Sequence, residues 1–270
     1  MGTVISFDLR DADLAPSRCQ EAIDEAVRWL HWVDATFSTY RADSTVARLA
    51  RNELGVTETE PEVRRVLQRC AELSRSTEGY FDAWSWGETL DPSGYVKGWA
   101  VEEASAILAR AGSHHHCVGA GGDLRTRGCP GPDRQWQVGI AHPLVPGALT
   151  ALLIVGEAAV ATSGTSERGY HVIDPHTGEP ATSLASVTIV QRGSLAAASG
   201  SADTDRLVPD QHVLPDLGTV DALATAGLAR GIGAPAWLGQ LAGYEALVID
   251  ALGNQWTTAG FDALRVPVDA

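Results

Sequence analysis

From His114 to Gly164 the chain is a succession of short apolar runs, HHHCVGAGGDLRTRG, WQVGIAHP, ALTALLIVGE and AAVATSG, separated by Gly and Pro turns. Strands joined by tight turns pair with their sequence neighbours, so this stretch predicts an antiparallel sheet. Further strands are expected at residues 3 to 9, where the alternation of MGTVISFDL fits a half-buried strand, and at ASVTIVQ and EALVID. The last segment, WTTAGFDALRV, reads as a terminal strand or extended tail.

Helical periodicity supplies the flanks. A helix is expected from about Ser17, with SRCQ as a capping box and Ala22, Ile23, Ala26, Val27, Leu30 and Val33 at helical spacing. TFSTYRADSTVARLA then reads as extended chain, a turn at Asp43 and a short helix. Pro61 suits an early helix position for 61 to 75, with Val63, Val66, Leu67, Cys70 and Leu73 facing the core. Trp99 to Ala111 is predicted helical with Gly112 just past its end. Thr219 is the expected cap of a helix through VDALATAGLARG to about Gly231, followed by a short helix from Pro235 to Leu241. The resulting class is α+β, a central mixed, mainly antiparallel sheet with flanking helices over residues 1 to 270, as one compact domain or two lobes around a cleft. The polar stretch from Gly193 to Gly218 is expected to be a surface excursion.

Composition narrows the partners. The 270 residues carry a formal charge of −14, which argues against nucleic acid or an anionic membrane as partner. No run of about 18 apolar residues occurs, as a membrane span would need. Met1 leads directly into the first strand without a basic and apolar leader, so a cytoplasmic chain lacking signal peptide and lipid anchor is expected. Cys19, Cys70, Cys117 and Cys129 form no CxxC pair and read as core residues in a reducing compartment.

Three segments carry candidate chemistry. The only lysine, Lys97, lies in DPSGYVKGWAVEEA, where Asp91, Ser93, Gly94 and Gly98 surround a helix start that favours an anionic ligand. In DALAT, Asp221 and Thr225 stand i, i+4 on one helix face, a spacing that suits a hard cation such as magnesium. Taken alone, the pair reads better as a first-turn carboxylate and a threonine bonded to a helix carbonyl. In SERGYHVIDPHTG, His171 precedes a strand and a turn with Pro175 and Gly178, either as a general base or as a structural histidine. AGGDLR, with Asp123, offers a close backbone approach without the GxGxxG spacing, and no Walker, GxSxG or HExxH motif is present. His114 to His116 enter an apolar strand and make no convincing metal site.

Ten segments in order, MGTVISFDL, FSTYRADS, GYFDAW, LDPSGYVKGWAVEEA, VGAGGDLRTRG, WQVGIAHP, AVATSG, HVIDPHTG, ASVTIV and DALATA, resemble the ApbE-type flavin transferases over nearly the whole chain. The resemblance implies a T-fold-related architecture and a Mg-dependent enzyme that moves FMN from FAD to a Thr or Ser hydroxyl of an acceptor flavoprotein, releasing AMP. It implies FAD contacts at Met1, Tyr40, Tyr80, Phe81, Asp82, Asp91, Lys97 and the Ile173 backbone. It also implies Mg2+ ligands at the Gly94 carbonyl, Asp221 and Thr225, with Asp221 thereby a catalytic residue; His171 is the candidate catalytic residue to orient or deprotonate the acceptor hydroxyl. Two departures accompany it: a short connector between GYFDAW and LDPSG where many members carry a helical insertion, and the excursion from Gly193 to Gly218. A Mg-dependent FAD pyrophosphatase and a noncatalytic FAD-binding protein are the rival readings.

Overall fold

The computed structural model describes residues 2–85, 89–167, 169–193 and 214–266. A seven-stranded sheet holds β1 (Ile5–Leu9), β4 (His116–Ala120), β5 (Asp123–Arg127), β8 (Ala158–Gly164), β9 (Leu184–Arg192), β10 (Tyr244–Asp250) and β11 (Gln255–Thr257) in that spatial order. Every ladder among the described residues is antiparallel. The remaining strands form two ribbons, β2 (Trp84–Ser85) with β3 (Thr89–Leu90), and β6 (Trp136–Ala141) with β7 (Leu149–Val155).

Alternation along the central strands sorts side chains into two layers. Ala159, Ala161, Val187, Ile189, Ala246 and Val248 join the helical core. Ala158, Val160, Val190, Leu247 and Ile249 face Val138, Leu153 and Val155 of the β6–β7 hairpin. With both faces covered, β9 is buried from Leu184 to Gln191 and reads as a continuous apolar run.

Among the described residues, six helices belong to the other side of the core: α1 (Pro16–Phe37), α2 (Thr45–Ala50), α3 (Pro61–Ser76), α4 (Ser93–Arg110), α5 (Leu217–Arg230) and α6 (Ala234–Leu238). Several boundaries differ from those expected. Pro16 starts α1 and Ala15 gives no side-chain cap, so SRCQ is not a capping box; the helix also runs to Phe37, through chain expected to be extended. Asp216, not Thr219, caps α5: its Oδ1 accepts the Thr219 amide at 3.2 Å. Gly231, at φ 60°, closes α5 as expected. The final segment forms only the short β11 before a 3-10 turn at Asp262–Leu264.

The largest difference is α4, which begins at Ser93 rather than Trp99. Asp91 Oδ1 accepts the Ser93 amide at 3.0 Å just ahead of the helix, and SGYVKG forms its first turns. α5 is buried almost all round, as its Ala- and Gly-rich sequence permits, and lies between the sheet and α4. No helix among the described residues is long and apolar enough to cross a membrane. Most of the excursion expected from Gly193 to Gly218 lies outside the described residues; its described return, from Leu214, is tied to β9 where Gln191 Oε1 accepts the Asp216 amide at 2.8 Å.

Candidate active site

Gly94 and Gly98 are spaced i, i+4 on α4 and face α5. A Cβ at Gly94 would stand 3.0 Å from Thr225 Oγ1 and 3.3 Å from the Phe81 ring. One at Gly98 would overlap the Leu217 carbonyl and lie 3.0 Å from Asp221 Cβ. The two glycines therefore let α5 approach closely enough to bring Asp221 and Thr225 onto the α4 backbone. Gly98 donates its amide to Asp221 Oδ2 at 3.1 Å. In a regular α-helix the same amide also faces the Gly94 carbonyl, which has two lone pairs and so keeps acceptor capacity.

Both polar side chains of DALAT turn toward neighbouring elements. Asp221 lies beyond the first turn of α5 and is 2% exposed, which does not suit a solvent-facing dipole residue. Thr225 Oγ1 is 3.2 Å from Ser163 Oγ at the end of β8, a partner outside its own helix.

Charge concentrates at the same crossing. The Lys97 ammonium is ion-paired with Asp123 Oδ2 and lies 3.4 Å from Asp221 Oδ1. The Asp123 side chain is fully buried, yet its Oδ1 has no hydrogen-bond partner. Burial, then repulsion from Asp123, raises the Asp221 pKa well above the usual carboxylate value, while Lys97 acts in the opposite sense. For Lys97, burial favours the neutral form, but attraction to Asp123 and Asp221 outweighs it and raises the pKa. Two buried carboxylates therefore face a single ammonium in a place poor in water, and a bound cation would favour the ionised form of both.

The donors fit a hard divalent ion: a carboxylate at Asp221, a hydroxyl at Thr225 and the Gly94 carbonyl, beside the unpartnered Asp123 oxygen. The described residues contain no group of three or more His, Cys, Asp or Glu able to hold a metal. His114 to His116 are not such a site: His116 is buried, 2.8 Å from Ser105 Oγ and 3.0 Å from Ser113 Oγ, and His115 Nδ1 accepts the Cys129 amide at 3.0 Å.

The other expected site residues fall into three settings. Phe81, buried at 3%, lines the Gly94 end of the crossing. Tyr80 is half-buried between other elements: the Arg230 guanidinium lies 4.3 Å from its ring centroid and the His176 ring 4.4 Å away. Asp82 and Asp91 make local turn bonds, with Asp82 Oδ1 accepting the Trp84 amide at 2.9 Å. Tyr40, His171 and Ile173 are exposed, Tyr40 at 95%. His171 Nδ1 is 3.1 Å from the Gly169 carbonyl. Met1 lies outside the described residues.

Sequence reasoning left Asp123 without a role and passed over Ser163, Arg230 and the tertiary contacts of His176. Asp123 had a signal, a carboxylate directly after paired glycines. So did the helix crossing, in the GxxxG spacing of Gly94 and Gly98. Ser163 and Arg230 had none, because their roles depend on which element packs beside them.

Together these features define an α+β protein with a buried oxygen-lined site, suited to a hard cation, where two helices cross above an antiparallel sheet. Residues 1–89 and 85–205 match the sequence profile of the ApbE family, and the chain belongs to that family. The FAD:protein FMN transferase of Haemophilus influenzae is 25% identical over 261 residues, spanning 73% of this chain and 75% of the relative. Among solved structures, the flavin transferase ApbE from Vibrio cholerae superposes with a TM-score of 0.76 at 21% identity, covering 98% of this chain and 96% of that one. The ApbE protein of Thermotoga maritima gives 0.75 at 19% identity, covering 98% and 99%.

Proposed function

We propose that this chain is a Mg-dependent FAD:protein FMN transferase acting on a Thr or Ser hydroxyl of an acceptor flavoprotein. The observation that carries the reading is the meeting of two buried carboxylates, Asp123 and Asp221, around the Lys97 ammonium at the crossing of α4 and α5, next to the unpartnered Asp123 oxygen and the donors Thr225 and Gly94. Membership of the ApbE family and the name of the Haemophilus relative point the same way.

In the proposed reaction the acceptor hydroxyl oxygen attacks the phosphorus on the FMN side of the FAD pyrophosphate. The bond from that phosphorus to the bridging oxygen breaks, AMP leaves with the bridging oxygen and its electron pair, and the hydroxyl proton is released. Asp221, Thr225 and the Gly94 carbonyl would hold Mg2+, which when bound supplies charge neutralisation for the pyrophosphate. Gly98 holds the Asp221 carboxylate in register through its amide. Tyr40, Tyr80, Phe81, Asp82, Asp91, Lys97 and the Ile173 backbone are proposed to bind FAD, with Met1 as a further contact.

His171 is proposed to take up the hydroxyl proton. Its Nδ1 faces the Gly169 carbonyl, which can only accept, so in the neutral ring Nδ1 carries the proton and the Nε2 lone pair remains for a base. Since serine and threonine hydroxyls are weak nucleophiles at neutral pH, positioning and charge neutralisation carry most of the acceleration. Cys19, Cys70, Cys117 and Cys129 are all free thiols, which supports a reducing, cytoplasmic setting.

The test is mass spectrometry of a candidate acceptor flavoprotein incubated with the enzyme, FAD and Mg2+. An adduct of FMN size on Thr or Ser, formed together with AMP, is the expected result. Free FMN without an adduct would replace the reading with a pyrophosphatase, and intact FAD would replace it with a binding protein.

A further inference from the structure

The segment that carries His171 closes on itself. Asp174 and Glu179 are joined by a backbone bond of 2.9 Å, Ala181 donates to the Val172 carbonyl at 2.9 Å, and Ile173 bridges Pro180. The tip is a tight turn in which the Gly178 amide reaches the Asp174 carbonyl at 2.8 Å and the His176 amide reaches Asp174 Oδ1 at 2.9 Å. Such a hairpin holds its own shape; its seat on the rest of the molecule has to come from elsewhere.

His176, at the tip, supplies a seat. Its Nε2 is 3.0 Å from the Glu78 carbonyl, and its ring centroid is 4.4 Å from that of Tyr80. A carbonyl only accepts, so Nε2 carries the proton and donates it. The backbone it meets is itself tightly wound: Glu78 and Gly79 both lie at positive φ, 57° and 82°, and a Cβ at Gly79 would stand 3.6 Å from the His176 ring. From the other element, Arg230 at the end of α5 donates to Glu78 Oε2 at 2.8 Å and places its guanidinium 4.3 Å from the Tyr80 ring centroid. The turn after α3 thus has contacts with both the metal-site helix and the hairpin.

We infer that His176 is a positioning residue for FAD binding, joining the hairpin of His171 and Ile173 to the turn of Tyr80, Phe81 and Asp82. The inference rests on the proposed function, which places FAD contacts on both segments. With His176 in place the two segments present their contacts together. Without it, FAD must bring them together during binding, and affinity falls by the lost hydrogen bond and ring contact. At saturating FAD the seat is restored by the ligand, so the chemical step is spared.

The experiment compares wild type, His176→Ala and His176→Gln by flavin fluorescence titration with FAD and Mg2+, without acceptor, and then by steady-state transfer to an acceptor. His176→Ala should weaken FAD binding and raise the KM for FAD roughly threefold to tenfold, the range of one hydrogen bond with a ring contact, with kcat unchanged. His176→Gln keeps a side-chain donor for the Glu78 carbonyl and should recover most of the affinity; a purely structural role would show instead as an equal loss of folding stability in both variants. Unchanged FAD affinity in His176→Ala, or a fall in kcat at constant KM, overturns the inference. If wild type binds FAD but transfers no FMN, the transferase reading fails while the titration still tests His176; if wild type binds no FAD, both fail.

Discussion

Gly98 gives its backbone amide to Asp221 Oδ2 at 3.1 Å and fastens the second turn of α4 to the second turn of α5. The bond forms because residue 98 has no side chain: a Cβ there would overlap the Leu217 carbonyl, which is backbone and cannot rotate away. Gly98→Ala should force the helices apart and destabilise the fold by about 1–3 kcal/mol, the usual range for overpacking. Metal-dependent transfer should fall further than stability explains, since Asp221 would lose its amide donor. Urea denaturation alongside transfer assays checks both; a variant with wild-type stability would show that the helices can separate freely.

Asp221→Asn separates site chemistry from folding. The substitution keeps shape but removes one of two neighbouring buried carboxylates, a charge whose pKa is already raised by burial and by Asp123. Thermal stability should therefore be retained, while metal-dependent FMN transfer drops on the order of 10²-fold or more, as for loss of a preorganised charge-stabilising group. Full transfer by the variant in the presence of Mg2+ would remove Asp221 from the site.

The strands were readable because Gly and Pro punctuate them and alternation fixes their faces; β9, buried on both sides, still showed as an apolar run. The first turns of α4 were harder. Gly94 and Gly98 disfavour an isolated helix, and the packing that offsets this comes from α5, more than a hundred residues away. The α5 cap was misplaced for a related reason: Asp216 and Thr219 are both good capping types, and their competition is settled by local geometry that residue preference does not encode. In the candidate site, the i, i+4 spacing of Asp221 and Thr225 was legible because a helix alone creates it. The pairing of Lys97 with Asp123 was not, since it joins residues 26 apart on a helix and a strand.

That pairing gives Lys97 a structural part besides its proposed contact with FAD. Its ammonium lies between two buried carboxylates, so Lys97→Met would leave Asp123 and Asp221 facing each other with no cation. The expected loss is about 3 kcal/mol, as for breaking a buried ion pair from one side. Adding Asp123→Asn to that variant should restore much of the stability, because the remaining carboxylate then lacks a like-charged neighbour. Denaturant midpoints of the single and double variants measure this coupling, and a Lys97→Met chain as stable as wild type would contradict it.

His116 gives the fold a predicted acid sensitivity. The side chain is fully buried, and burial, followed by repulsion from Arg127, pushes its pKa down to about 4. An unfolded chain takes up the proton near pH 6.5, so between about 6.5 and 4 the unfolded state binds more protons and stability falls with pH. The contribution is fully present above about 6.5, is lost progressively down to about 4, and amounts to about 3 kcal/mol at most. His116→Gln can still reach the Ser105 and Ser113 hydroxyls but does not titrate, so its stability should vary less with pH across that window. Urea midpoints of the two proteins at pH 7, 5.5 and 4 provide the comparison: the gap should narrow or reverse in favour of the variant as pH falls, and parallel profiles would show that His116 does not carry the effect.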